Sequence, residues 1–129
     1  MDFAGYDVEL RYGAVTRQVQ LKSSLAGGRV AFRNISKKLE DAPSGCIVWS
    51  VVGVPVVGDP PALPVSYRVL GAGPGAPFRL AVGLATAKQA RGNVKGEKAD
   101  RPGFRRVPKA RFSTLEGVSV LSDWLFGPP

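Results

Sequence analysis

From Gly5 to Ser23, GYDVELRYGAVTRQVQLKS, polar and apolar residues alternate at a period of two. That is the period of a half-buried β-strand. Val8, Leu10 and Tyr12 fall on one face of the first arm, and Asp7, Glu9 and Arg11 on the other. On the second arm Val15, Val19 and Leu21 share a face with one charged intruder, Arg17. Thr16, Gln18, Gln20 and Lys22 take the opposite face. Gly13-Ala14 between the arms puts Gly first in a two-residue loop, as a type II′ turn requires. The alternation therefore predicts a β-hairpin pairing Tyr12 with Val15, Glu9 with Gln18 and Asp7 with Gln20. This register keeps like faces together. One face is greasy, and the other gathers Asp7, Glu9, Gln20 and Lys22 into a polar patch.

Downstream, Ser23 to Gly28 reads as a loop and Arg29 to Phe32 as a strand extension. Asn34 to Glu40 predicts a short helix capped by Asn34, with Ile35 and Leu39 on one face. Cys46 to Val57, CIVWSVVGVPVV, is the most apolar segment. Its β-branched and aromatic residues between turn residues predict a central buried strand, hydrogen-bonded as far as Pro55. Val65 to Leu70 alternates as a strand, Gly71 to Pro77 is a loop, and Phe78 to Leu84 is open to strand or helix. The GAGPGA of that loop lacks the Lys-Ser/Thr of a phosphate-binding loop, and Pro74 removes a backbone donor. At the end of the chain Leu115, Val118, Leu121 and Leu125 follow a helical stripe. Ser113 and Glu116 have the spacing of a capping box, so a closing helix is expected from Ser113 to Phe126. The expected fold is α+β: a mixed, mainly antiparallel sheet opened by the N-terminal hairpin, with a short helix after it and a C-terminal helix docked on the sheet.

Composition narrows this picture. A chain of 129 residues, 44% of them hydrophobic, suits one folded domain over 1–129. Gly 16 and Pro 11 favour turns and short strands over long helices. No apolar run has the length of a membrane span and no leader pattern opens the chain, so a cytoplasmic location without a membrane is the expectation. With no His in the chain, Ser–His–Asp and Cys–His nucleophiles and His-based zinc sites are excluded within it. The lone Cys46 reads as a small buried apolar residue. Any chemistry must come from carboxylates, amides and lysines.

Charge is concentrated. Lys88, Arg91, Lys95, Lys98, Arg101, Arg105, Arg106, Lys109 and Arg111 sit against only Glu97 and Asp100, giving +7 of the chain's net +8. Gly92, Gly96, Pro102, Gly103 and Pro108 argue against a long helix there, so 88–111 is expected to be a long basic loop, with room for a short hairpin. Such a patch is the footprint of a phosphate-backbone binder, and Phe104 and Phe112 are placed to stack on bases. No amphipathic helix accompanies the charge, which disfavours a lipid surface.

Gly5-Tyr6-Asp7 followed on the next strand by Gln20-Leu21-Lys22 resembles the core of the PD-(D/E)XK nuclease superfamily. It is similar to the Mrr-type variant, in which G-x-D is followed by Q-x-K. The resemblance implies a metal-dependent endonuclease, or a nuclease-like domain, acting on DNA. Asp7 and Gln20 would face Mg²⁺ or Mn²⁺, and Lys22 would orient water or neutralise developing charge. Those types suit the task, because a hard cation takes oxygen ligands and phosphodiester cleavage uses one. Glu9, about 7 Å along the strand at about 3.3 Å per residue, and Gln18 would support them from behind. In that superfamily a helix and a strand precede the Asp strand, and the helix often carries a Glu ligand. Only Met1 to Ala4 precede Gly5 here. A homodimer mate, a partner chain or a lost start would supply that helix, or the chain is an inactive relative. The alternative function is a non-catalytic nucleic-acid-binding module, or a subunit of a larger complex, using the basic segment.

Overall fold

The computed structural model describes residues 5–79, 86–92 and 98–128, with 86–92 and 98–102 as backbone only. The hairpin forms as the alternation requires. β1 (Val8–Tyr12) and β2 (Val15–Leu25) pair antiparallel from Tyr12↔Val15 through Glu9↔Gln18 to Val8↔Val19. Gly13 carries φ +61°, while Ala14 keeps an ordinary negative φ, as a Gly-first II′ turn needs. β2 then runs on to Leu25, through part of the expected loop.

β2 pairs parallel with β4 (Gly45–Val52), from Gln18↔Gly45 to Leu25↔Val52. Parallel pairing needs a long crossover. Here it carries β3 (Phe32–Ser36) and a 3-10 turn (Lys37–Asp41). The helix expected over Asn34 to Glu40 is therefore corrected. Ile35 is drawn into a strand pairing with Arg105 and is fully buried. Ser36, not Asn34, caps the turn, its Oγ accepting from Lys38 N at 3.2 Å. β4 alternates with both faces covered, which is why it reads as a continuous apolar run. It ends at Val52, short of Pro55: Gly53 N still donates to Pro64 O at 2.7 Å, in step with the β4–β5 ladder, but Pro64 has no N–H to return.

β5 (Val65–Leu70) pairs antiparallel with β4, and β8 (Ser113–Glu116) with β5, completing a sheet of order β1-β2-β4-β5-β8. The capping box is corrected here. Ser113 begins a strand that covers the open edge of β5, and α1 (Val118–Phe126) starts after Gly117 with no side-chain cap. Edge backbone groups of β5 gain partners that a helix would not offer.

The basic segment is strand where a loop was expected. β6 (Thr86–Gly92) and β7 (Lys98–Pro108) pair antiparallel, β3 joins the far side of β7, and a 3-10 turn (Lys109–Arg111) follows. The glycine and proline that argued for a loop sit at an irregularity. Thr86 pairs with Arg105 and Ala87 with Arg101, so Pro102 and Gly103 fall in the bulged stretch between.

Two cores lie on the two faces of the main sheet. Val19, Cys46, Val48 and Val69 pack with Leu125, Leu121 and Trp124 of α1. Ile47 and Trp49 pack on the other face with Ile35, Leu39, Phe78, Val107 and Phe112. The fold is thus α+β, with a mixed main sheet, a second three-stranded sheet and one C-terminal helix. Among the described residues no helix is long and apolar enough to cross a membrane.

Candidate functional site

Gly5 starts the site. It is buried, with φ +85°, and a Cβ there would run into the backbone of Lys38 and Leu39. Only Gly lets the chain enter this close to the 3-10 turn. Two residues on, Asp7 N donates to Val19 O at 2.9 Å, one step off the ladder's register. The Asp7 carboxylate then takes the place of a backbone acceptor. Its Oδ2 accepts from Leu21 N at 2.7 Å. Leu21 stands between Gln20 and Lys22, so the carboxylate is tied to the backbone segment that carries both. This side-chain bond replaces the simple Asp7–Gln20 pairing expected from the alternation.

The polar patch differs in depth along the strand. Asp7 is exposed, Lys22 half-buried, and Gln20 only 3% exposed. The face carrying Gln18, Gln20 and Lys22 lies on the side of the second sheet, so what reads as a solvent face is largely interior. Gln18 is a strut. Its Oε1 accepts from Ser44 N at 2.9 Å, and its own N donates to Ser44 O at 3.2 Å. Glu9 is exposed and lines, with Gln18, Ser44 and Gly75, a 480 Å³ cavity away from Lys22. The structure therefore brings Asp7, Gln20 and Lys22 to one end of the hairpin and leaves Glu9 and Gln18 at another cavity.

Behind the hairpin, the intruder Arg17 is fully buried. Its Nε, Nη1 and Nη2 donate to Ser44 O (3.2 Å), Leu125 O (3.0 Å) and Ala72 O (2.9 Å), and its guanidinium stands 5.3 Å from the Trp124 ring centroid. Burial pushes the neighbouring Cys46 thiol up, opposed by Arg17. This thiol is apolar packing, as its sequence context implies.

The basic residues are dispersed. Lys88 and Arg91 lie on β6, Lys98 and Arg101 on β7, and Lys95 falls outside the described residues. Arg105 and Arg106 are half-buried on β7, Arg106 standing 4.2 Å over the Phe32 ring. Lys109 and Arg111 are exposed on the 3-10 turn. Phe112 is corrected from base platform to core, edge-on to Trp49 at 5.2 Å. Sequence reasoning missed Phe32, Arg33 and Asn34, which line a cavity with Lys22 and Phe104. No local pattern marks them; only the pairing of β3 with β7 brings them there.

The donor set fits Mg²⁺ or Mn²⁺ in kind. It offers a carboxylate and an amide oxygen, and Mg²⁺ commonly takes one or two carboxylates and keeps waters and phosphate oxygens. Among the described residues no group of three His, Cys, Asp or Glu adds to it. No family model, curated protein or solved structure matches this chain.

Proposed function

We propose that this chain is a nuclease-like domain that acts on the phosphodiester backbone of DNA through Asp7, Gln20 and Lys22. The observation that carries the reading is the 2.7 Å bond from Leu21 N to Asp7 Oδ2. It ties the one carboxylate of the motif to the strand that carries Gln20 and Lys22. Asp7 and Gln20 would hold Mg²⁺ or Mn²⁺, which when bound polarises a phosphate and activates water. Asp7 supplies the negative charge of the site. Lys22 supplies a positive charge against the phosphate oxygens, where charge builds up during cleavage. The basic residues of β6, β7 and the following turn would hold the backbone on either side. A cytoplasmic setting accords with a nucleic-acid substrate and an unpaired cysteine.

The test is cleavage of plasmid and single-stranded DNA with Mg²⁺ or Mn²⁺ by wild type, Asp7→Asn and Lys22→Ala. Asn at position 7 keeps an oxygen for Leu21 N, so the hairpin end survives while the charge is lost. Wild type is expected to cut, and each variant to lose at least about 10²-fold. Cutting by Asp7→Asn at the wild-type rate would sink the reading. A second reading, a binding module without catalysis, draws on the same hydrogen bond. One Asp7 oxygen is already committed to Leu21 N, and Gln20 is packed inside. If all three proteins bind DNA and none cuts it, that second reading replaces the first.

A further inference from the structure

The cavity behind Lys22 has a composition that points to a ligand. Its volume is 270 Å³, and its walls are Lys22, Phe32, Arg33, Asn34 and Phe104. Among the described residues that is two cations, one amide and two aromatic rings, with no acid. Arg33 is held in place, its Nη1 donating to Ser23 O at 3.3 Å and its guanidinium standing 5.5 Å from the Trp49 ring centroid. Phe32 is 38% exposed and has the Arg106 guanidinium on its ring. Asn34 and Arg106 face each other across the β3–β7 ladder. Asn34 Oδ1 and Arg106 Nε are both buried without a hydrogen-bond partner among the described residues. Buried polar atoms left so are uncommon, and they mark places where a water or ligand completes the set.

We propose that this cavity is a subsite for one unpaired nucleotide, so that the preferred substrate is single-stranded nucleic acid. The inference rests on the nuclease-like reading, since Lys22 belongs to both sites. A phosphate suits Lys22 and Arg33, and a base stacks on an aromatic ring whatever its sequence. The cavity is slightly smaller than the ~300–1,000 Å³ of drug-sized sites. It therefore has room for one small group such as a single base. Bases of a duplex are stacked within it and reach such a ring only when extruded, at an energetic cost that an unpaired base does not carry.

The experiment is fluorescence anisotropy with a short labelled deoxyoligonucleotide, single-stranded or annealed to its complement, in EDTA. Wild type, Phe32→Leu, Asn34→Asp and Lys37→Gln are compared. Asn34→Asp sets a carboxylate opposite Arg106, so its melting temperature should not fall. Lys37→Gln makes the same change in net charge at an exposed position. Wild type is expected to bind the single strand about tenfold or more tighter than the duplex, and Phe32→Leu and Asn34→Asp each to lose about tenfold on the single strand. Lys37→Gln should stay within about threefold on both. Equal affinity for the two forms, or Phe32→Leu and Asn34→Asp behaving like Lys37→Gln, overturns the subsite. Because EDTA removes any metal, binding is read apart from cleavage. A single-strand preference without cleavage leaves the subsite standing and fells the nuclease reading; cleavage without the preference does the reverse.

Discussion

Arg17 shows how far one side chain shapes this domain. A guanidinium taken out of water must have its donors met, and here three backbone carbonyls do so. Arg17→Met keeps the apolar stem and strands the Leu125 and Ala72 carbonyls, while Ser44 O keeps the Gln18 N–H. It should destabilise the fold by about 2–6 kcal/mol, at about 1–3 kcal/mol per buried group left unsatisfied. Urea unfolding measures this, and a loss under about 1 kcal/mol would show that the carbonyls find other partners. Cys46 offers a second check. Its folded thiol ionises above its ordinary value of 9.0. The unfolded chain therefore releases its proton first as pH rises. The native state is favoured below pH 9 and loses this contribution above it. Wild type should lose stability above pH 9 more steeply than Cys46→Ala, in paired melts as the pH is raised.

Between strand and helix, short elements were decided by their partners. The hairpin, β4 and β5 were legible as strands because alternation and β-branched apolar runs mark extended chain. β8 was not. Ser113-Thr114-Leu115-Glu116 satisfies a capping pattern in one dimension, and only the open edge of β5 makes it a strand. It follows that Ser113→Ala should change stability by less than about 0.5 kcal/mol, where a true cap would cost about 1 kcal/mol. A thermal melt decides between them. The basic strands were hidden for a similar reason, since Pro102 and Gly103 look like loop residues until a bulge accommodates them. Of the candidate site, the register placed Gln20 and Lys22 on one face of β2, but Asp7 leaves the ladder and reaches that strand through its carboxylate on Leu21 N. The burial of Gln18 and Gln20 did not, because a period of two says which residues share a face and not what covers it. Phe32, Arg33 and Asn34 had no local mark at all.

At the scale of the molecule, charge and packing separate. The main sheet and its two cores hold the hairpin, while the described basic residues of 88–111 are spread over the second sheet and the turn after it. Nucleic-acid binding should therefore weaken steeply with salt. For about 6–10 phosphate contacts, affinity should fall roughly 10³–10⁵-fold between 50 and 200 mM. A titration that is flat in salt would mean the basic strands serve another partner. Arg17 has one more consequence, for the order of events in time. Its three acceptors lie 27, 55 and 108 residues away along the chain. Contacts between segments so distant close only after most of the chain has collapsed. The β1–β2 hairpin, by contrast, is local and can form early. Interactions made after the transition state act on unfolding and not on folding. Arg17 should then behave as a latch: in a chevron analysis, Arg17→Met speeds unfolding and leaves the refolding limb nearly where it was.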